Sequence, residues 1–397
     1  MTIAVIGGGA SGMIAAIMAA MEGAEVFVFE HKDRVGKKLL VTGNGRCNFT
    51  NLDQDAANYR GEHPEFATRA LEAFSYKDTL DFFEGLGIMP VERNGYYYPA
   101  SNTATAVLDV LRMELKRLGV QLITSTHVKE ILPGFTLVTD KESYQADRVI
   151  LAAGGCAASV HGSDGSGYML AKKLGHTTTT LVPGLTSMIL EGSFSKGWQG
   201  VRTMGKVSYR DQSFQGELQL VDYGISGIPV FQLSRYVAKA LEQGEKVVLH
   251  IDFMPDMEEK DFLSYMGQRI RRFPEKTLEE QFVGIYHKKL ADILIKRTHL
   301  SGRMCSGQMK EPQLTKLVHQ IKNFEAGVIS VSGFEKAQVT VGGIDTSQVK
   351  EDTMESKIIP GLFFAGEILD IDGNCGGYNL QWAWSSGAMA GKNAAKQ

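Results

Sequence analysis

Residues Ile3–Glu30 read IAVIGGGASGMIAAIMAAMEGAEVFVFE, and the fold turns on them. Ile3 to Ile6 is an apolar run that stops at glycine, as a strand buried on both faces of a parallel sheet does. Gly7, Gly9 and Gly12 then take the G-x-G-x-x-G spacing. Each glycine has a mechanical task there: a tight turn, close approach of backbone to a diphosphate, and close packing of helix on strand. Ala10 to Met21 follows with good helix formers, so a helix opens on the glycines and offers its free N–H groups and positive dipole end to phosphate oxygens. A second strand is expected over Glu25 to Phe29, closed by Glu30, whose carboxylate can accept both hydroxyls of a ribose and would repel a 2′-phosphate. FAD or NAD satisfies this pattern. The plain alternative is a glycine-rich turn with no ligand, and the order strand, glycines, helix, strand, acid argues against it.

Composition bounds the rest. At 397 residues the chain has room for two or three domains, and 43% hydrophobic with 22% charged residues describes a globular protein with a core. The 42 basic residues nearly balance 45 acidic ones, which gives no electrostatic footprint for nucleic acid or anionic lipid. A small-molecule substrate is therefore expected, with no nucleic acid and no membrane as partner. Cys47, Cys156, Cys305 and Cys375 stand singly, without CxxC or His/Cys ligand spacing, so neither disulfides nor a metal site is expected. The apolar run Met13 to Met21 lacks a basic leader and is too short to span a bilayer, and a cytoplasmic location is expected.

Further along, residues 34–51 (RVGKKLLVTGNGRCNFTN) form a loop too rich in glycine for regular structure. Its backbone N–H groups, amides and cations (Lys38, Gly43, Asn44, Gly45, Arg46, Cys47, Asn48) suit a bulky anionic cofactor, or else make a solvated basic loop. Ala146 to Gly155 is a buried strand ending on glycines, with Ala153 and Gly154 returning the chain toward the cofactor. Gly361 to Gly366 is another strand-to-glycine junction, followed by Glu367, and Gly376 and Gly377 precede a helix starting near Tyr378. Residues 76–87 and 103–118 carry helical spacing, with Leu108, Leu111, Leu115 and Leu118 in one stripe. A second glycine-rich loop, His161 to Gly167, lacks the order of a separate NAD site. From Thr186 to Phe253 the pattern turns to short strands with one helix at Val230 to Leu241; from Asp256 to Phe324 it is charged and helical; strands return at Gly327 to Val341. This implies a discontinuous nucleotide-binding domain, 1–186 and 335–397, interrupted by a β-rich domain (187–255 plus about 325–334) and a helical one (256–324). No Ser/His/Asp constellation emerges, and Cys47 with Cys375 is a conceivable redox pair.

VTGNGRCNFTN (41–51), GISGIPVFQLSR (224–235) and PGLFFAGEILDIDGNCGGYNLQWAWSSG (360–387) resemble bacterial flavoproteins of the aminoacetone-oxidase-like or BaiN-like family, within the two-dinucleotide-binding-domain flavoproteins. The resemblance runs from end to end. It implies an α/β, Rossmann-type FAD-binding domain with an inserted β-rich, barrel-like domain and a small helical one, their cleft over the flavin. It implies FAD as the tight cofactor: Gly7, Gly9, Ala10, Ser11 and Gly12 at the diphosphate, Glu30 at the adenosine ribose, Val128 at adenine, and Glu367, after Gly366, at the ribityl chain. Gly377, Tyr378, Asn379 and Leu380, running to Gln381, would set a helix N-terminus against the flavin's pyrimidine edge, where reduction places negative charge. Arg46, Asn48 and Tyr378 are candidates for groups near the reactive ring. The implied activity is an FAD-dependent oxidoreductase taking hydride from a small substrate, an amine such as an aminoketone first, with oxygen or another acceptor reoxidising the flavin. The alternatives are an NAD(P)H-dependent reductase of an activated C=C bond and a flavin-dependent RNA-modifying protein.

Overall fold

The structure, a computed structural model, describes residues 1–396. The chain divides into two compact units, Met1–Val182 with Phe334–Gln397, and Pro183–Gly333. The first is built on a parallel sheet in which Thr2–Ile6 lies between Arg148–Leu151 and Glu25–Phe29. Leu362–Phe364 and Gln121–Ile123 form the outer strands. The connections therefore leave the first strand in opposite directions, and the switch point of the sheet falls at its carboxyl end, where Gly7 stands. Ile3, Val5, Val149 and Ile150 are fully buried, which is why these strands read as continuous apolar runs.

Two helices cover the sheet near that point. The first, Ala10–Met21, and the last, Tyr378–Ala395, are buried along most of their lengths. They pack closely because Gly387 lies on the backbone of Ser11 and Gly391 on that of Ala15, where any Cβ would overlap a carbonyl oxygen. Helices Tyr76–Gly85 and Ala104–Arg117 fall where the helical spacing placed them. Leu108, Leu111 and Leu115 are buried, while Leu118 caps the end of its helix half-buried.

The second unit is a closed antiparallel barrel of six strands: Met188–Leu190, Val201–Tyr209, Gln212–Val221, Gly224–Ser226, Val247–Asp252 and Phe324–Val331. Helix Ile228–Glu242 packs Val230, Leu233 and Val237 into it. The segment 256–324, expected as a small domain of its own, shares one apolar core with the barrel: Phe262, Met266, Leu290, Leu294 and Leu317 pack with Val207, Leu218, Leu249 and Ile251. Its last helix is tied down by Lys322, which pairs with Asp252 at 2.7 Å while donating to the Met254 carbonyl. Val339–Val341, assigned by the sequence to the nucleotide-binding segment 335–397, lies in the first unit and outside the barrel's six strands. Among the described residues no helix is long and apolar enough to cross a membrane.

Candidate functional site

The first helix makes its first intrahelical bond from Met13 N–H to the Gly9 carbonyl, 2.9 Å. The N–H groups of Ala10, Ser11 and Gly12 thus have no acceptor within the helix, and among the described residues no side chain caps it. A Cβ on Gly7 or Gly12 would run into the backbone of Ala152 or Gly7, whereas one on Gly9 would meet nothing within 4 Å. The protein is thus packed solid behind the loop and open in front of it, a cradle for an anion with bulk of its own. Glu30 holds this loop as well as facing it: Oε2 accepts from Gly8 N–H (3.0 Å) and Oε1 from Lys32 N–H (2.8 Å). A carboxylate has roughly four acceptor sites, so two ribose hydroxyls can still be received. The glycine-rich loop that the sequence could not place closes on this end. Gly162 approaches Glu30 and Lys32, and His31 lies between Glu30 (3.6 Å) and Asp164 (3.7 Å). Val128 opens the strand Val128–Leu132, where a register shift between Val128 and Glu130 interrupts the ladder.

In the middle of the site Gly366, at φ +79°, comes against Ser11, whose hydroxyl donates to the Ala365 carbonyl at 3.2 Å. Glu367 follows, its Oε2 2.6 Å from Lys38 Nζ and its Oε1 accepting the Thr340 N–H at 2.8 Å. The Thr340 hydroxyl in turn accepts from the N–H groups of Cys156 (2.7 Å) and Ala157 (3.1 Å). A methyl group placed on Gly154 would lie 3.8 Å from Glu367 Oε2, ordinary van der Waals contact. Lys38, Ala153–Gly154 and Glu367, separate motifs in the sequence, therefore meet, and Thr340 joins them. Thr340 was missed because a β-branched residue in VTVGG reads as strand core; the following Gly342 and Gly343 are the only hint.

Because Gly387 is opposite Ser11, the last helix starts ten residues, about 15 Å, beyond the diphosphate loop. That is the direction in which a ribityl chain and ring must run from the diphosphate. Its first bond is Gln381 N–H to the Gly377 carbonyl, 2.9 Å, leaving Tyr378, Asn379 and Leu380 N–H without intrahelical acceptors. Gly376 and Gly377, at φ +121° and +90°, let Tyr96 and Thr50 come against the turn. Thr50 donates to Gln381 Oε1 (2.6 Å), Asn51 to the Gly376 carbonyl (2.9 Å), and Asn379 brackets Gly373 through both its N–H and its carbonyl. Tyr378 is buried edge-on to Tyr59, and burial pushes its phenol up to about 12.

In the loop 34–51 the N–H groups at Arg46 and Cys47 are bonded to the Gly43 and Thr42 carbonyls, so these two are not open to a phosphate. This follows from the left-handed turn at Gly43, Asn44 and Gly45 (φ 56°, 54° and 80°), which folds the loop onto itself. Asn48 uses its amide nitrogen on the Thr50 (2.8 Å) and Tyr97 (3.2 Å) carbonyls, which pins the loop beside Gly377. Arg46 and Asn44 are exposed. Cys47 is fully buried, and burial pushes its thiol up to about 12; burial also raises Cys375. All four cysteines are free thiols, and neither member of the conceivable redox pair is a thiolate at neutral pH.

The family model described as HI0933-like protein Rossmann domain matches residues 1–393. The chain belongs to the HI0933-like family. Over 406 residues, spanning 100% of this chain and 99% of the relative, it is 43% identical to the 3-dehydro-bile acid delta(4,6)-reductase of Clostridium scindens. It is 28% identical to the ribosomal RNA dihydrouridine synthase of Haemophilus influenzae, covering 99% of this chain and 98% of that one. The fold is similar to that of the 3-ketosteroid delta1-dehydrogenase from Sterolibacterium denitrificans, with a TM-score of 0.51 at 13% identity and 99% of each chain covered. This HI0933-like protein is an FAD-dependent oxidoreductase. The open face at Gly9, the Glu30 carboxylate and the uncapped last helix fit FAD along its length: diphosphate, ribose and flavin ring.

Proposed function

We propose that the protein is a reductase that adds hydride and a proton across a C=C bond conjugated to a carbonyl, the electrons coming from a nicotinamide donor. The observation that carries this reading is the 43% identity, over the whole chain, to a reductase of a delta(4,6) bile acid ketone. A dihydrouridine synthase among the relatives is in keeping with the same chemistry, because the C=C bond of a uracil is likewise conjugated to a carbonyl. Bound FAD supplies the hydride relay between donor and substrate.

The chain's own residues have three tasks in this reaction. Ala10–Gly12 N–H and Glu30 hold the diphosphate and ribose. Lys38, Thr340 and Glu367 fix the carboxylate proposed for the ribityl chain, since Glu367 cannot swing away while both its oxygens are bonded. Tyr378–Leu380 N–H groups, at the positive end of the last helix, would stabilise negative charge placed on a flavin ring by reduction. Tyr378, with its phenol held protonated, is a hydrogen-bond donor at neutral pH rather than a base.

We place the protein in the cytoplasm, with a small-molecule substrate. Oxidation of a small amine with oxygen as acceptor, the direction implied by the family resemblance, is the competing reading, and RNA as substrate is a third. The test is to incubate holoprotein, NADPH or NADH and a 3-keto-4-ene steroid without oxygen. Expected is a product two mass units heavier than the steroid, with oxidation of the nicotinamide in equal amount. Peroxide formed from a primary amine in air, with no steroid reduction, contradicts the proposal.

A further inference from the structure

The strand Tyr96–Pro99 presents Tyr96 and Tyr98 on one face, two residues and about 7 Å apart. Tyr96 abuts Gly376, at the turn into the last helix, and Tyr98 continues the same wall past Gly43. Two guanidiniums sit over the Tyr98 ring, Arg46 at 5.9 Å and Arg93 at 5.7 Å from its centroid. Their protein bonds are few: Arg46 Nε to the Gly43 carbonyl and Arg93 Nη1 to Asn102 Oδ1, both 3.3 Å. Among the described residues neither is ion-paired. The neighbouring carboxylate, Glu92, pairs across the strand with Tyr97 on the other face, and its Oε1 is taken by the Gly95 N–H. Tyr98 cannot neutralise the pair, because burial raises its phenol despite both guanidiniums.

Two unpaired cations stacked on one ring are unusual enough to ask what anion they serve. The negative charge of oxidised FAD is on its diphosphate, whose cradle lies at the other end of the site. The neutral ring faces the last helix. Oxidised FAD therefore brings no charge to Arg46 and Arg93.

We propose that Arg46 and Arg93, seated on Tyr98 at the flavin-ring end of the site, bind an oxyanion, a carboxylate or phosphate, carried by one of the two reactants. Each guanidinium keeps donors free for a contact with such a group, and the Tyr98 ring lies within about 6 Å of both. The proposal rests on the reading of the protein as a flavin reductase with a substrate and a nicotinamide donor. Its test does not need turnover.

Oxidised holoprotein is titrated, following the flavin difference spectrum, with a 3-keto-4-ene steroid acid and with its methyl ester, then with NADP⁺ and with nicotinamide riboside. The variants are Arg93→Gln and the double change Arg46→Gln with Arg93→Gln. The double variant is expected to weaken the anion by about 10- to 100-fold and its counterpart without the oxyanion by no more than about 2-fold. Whichever pair separates, acid from ester or phosphate from riboside, names the source of the oxyanion. If the double variant loses FAD, Arg93→Gln alone carries the comparison, since Arg93 lies outside the cofactor motifs. Equal weakening of the probes with and without the oxyanion, or no weakening of either anion, overturns the proposal. A protein that separates the probes in this way yet reduces no enone would refute the proposed function and leave the oxyanion site standing.

Discussion

Replacing Gly9 with alanine separates the cofactor cradle from the fold. Gly9 sits at φ −81°, ψ −169°, extended backbone open to any residue, and its new methyl would meet no protein atom within 4 Å. Alanine is a poorer N-cap than glycine by up to about 1 kcal/mol, and the stiffer unfolded chain returns about 0.4–1 kcal/mol. Apoprotein stability should therefore change by less than about 0.5 kcal/mol. The space the methyl enters is the one assigned to the diphosphate. Displacing a phosphate from one N–H of the first turn loses a charge-assisted bond worth about 1.5–3 kcal/mol, and a few tenths more of dipole energy. FAD affinity should fall roughly 20- to 200-fold. Urea denaturation of apoprotein gives the first number, and recovery of flavin fluorescence on dilution of holoprotein gives the second. Gly12→Ala is the control: its methyl overlaps the Gly7 carbonyl, so fold and FAD binding should suffer together. Unchanged FAD affinity in Gly9→Ala, or apoprotein stability lowered as much as in Gly12→Ala, would refute the placement of the diphosphate.

Two further outcomes follow from burial. Cys47, with its thiol pushed up to about 12, should resist iodoacetamide at pH 8 in native holoprotein and react only on unfolding, as peptide mass mapping can follow. His176 is buried, bonded through Nε2 to Ser356 Oγ at 2.8 Å and packed on Phe364, with no partner among the described residues for Nδ1. Burial lowers its pKa below 6.5. Above pH 6.5 both folded and unfolded imidazoles are neutral and stability is complete; below it the unfolded chain binds the proton first, so stability falls as pH drops toward the lowered folded value. Urea midpoints between pH 8 and 5 should show this loss in the wild type and a shallower one in His176→Gln; equal slopes would contradict it.

The first unit was legible because its chemistry is local. Strand, glycines, helix and Glu30 occur within thirty residues and each element forms where periodicity placed it. The barrel's strands were legible as alternation, but the helices 256–324 carry their own apolar stripes, and nothing in a stripe says which surface it will meet. Their sharing of the barrel core was therefore hidden. The middle of the site was hidden for a related reason: Lys38, Thr340 and Glu367 are brought together by strand order, not by spacing. In the loop 34–51 the glycines let the chain turn back, and the Arg46 and Cys47 N–H groups bond within the loop, a pairing that spacing alone does not show. Arg93 carried no signal, since its meaning depends on Tyr98, the ring it shares with Arg46.

The central claim concerns the direction of hydride transfer, and one single-turnover measurement addresses it. Holoprotein is reduced with light and a sacrificial donor under nitrogen, then mixed with a 3-keto-4-ene steroid, with absorbance followed at the flavin's visible band. The oxidised spectrum should return in proportion to steroid consumed, while a primary amine added anaerobically to oxidised holoprotein should leave the band unchanged. Bleaching by the amine, together with no return of the band on adding the enone, would contradict the account.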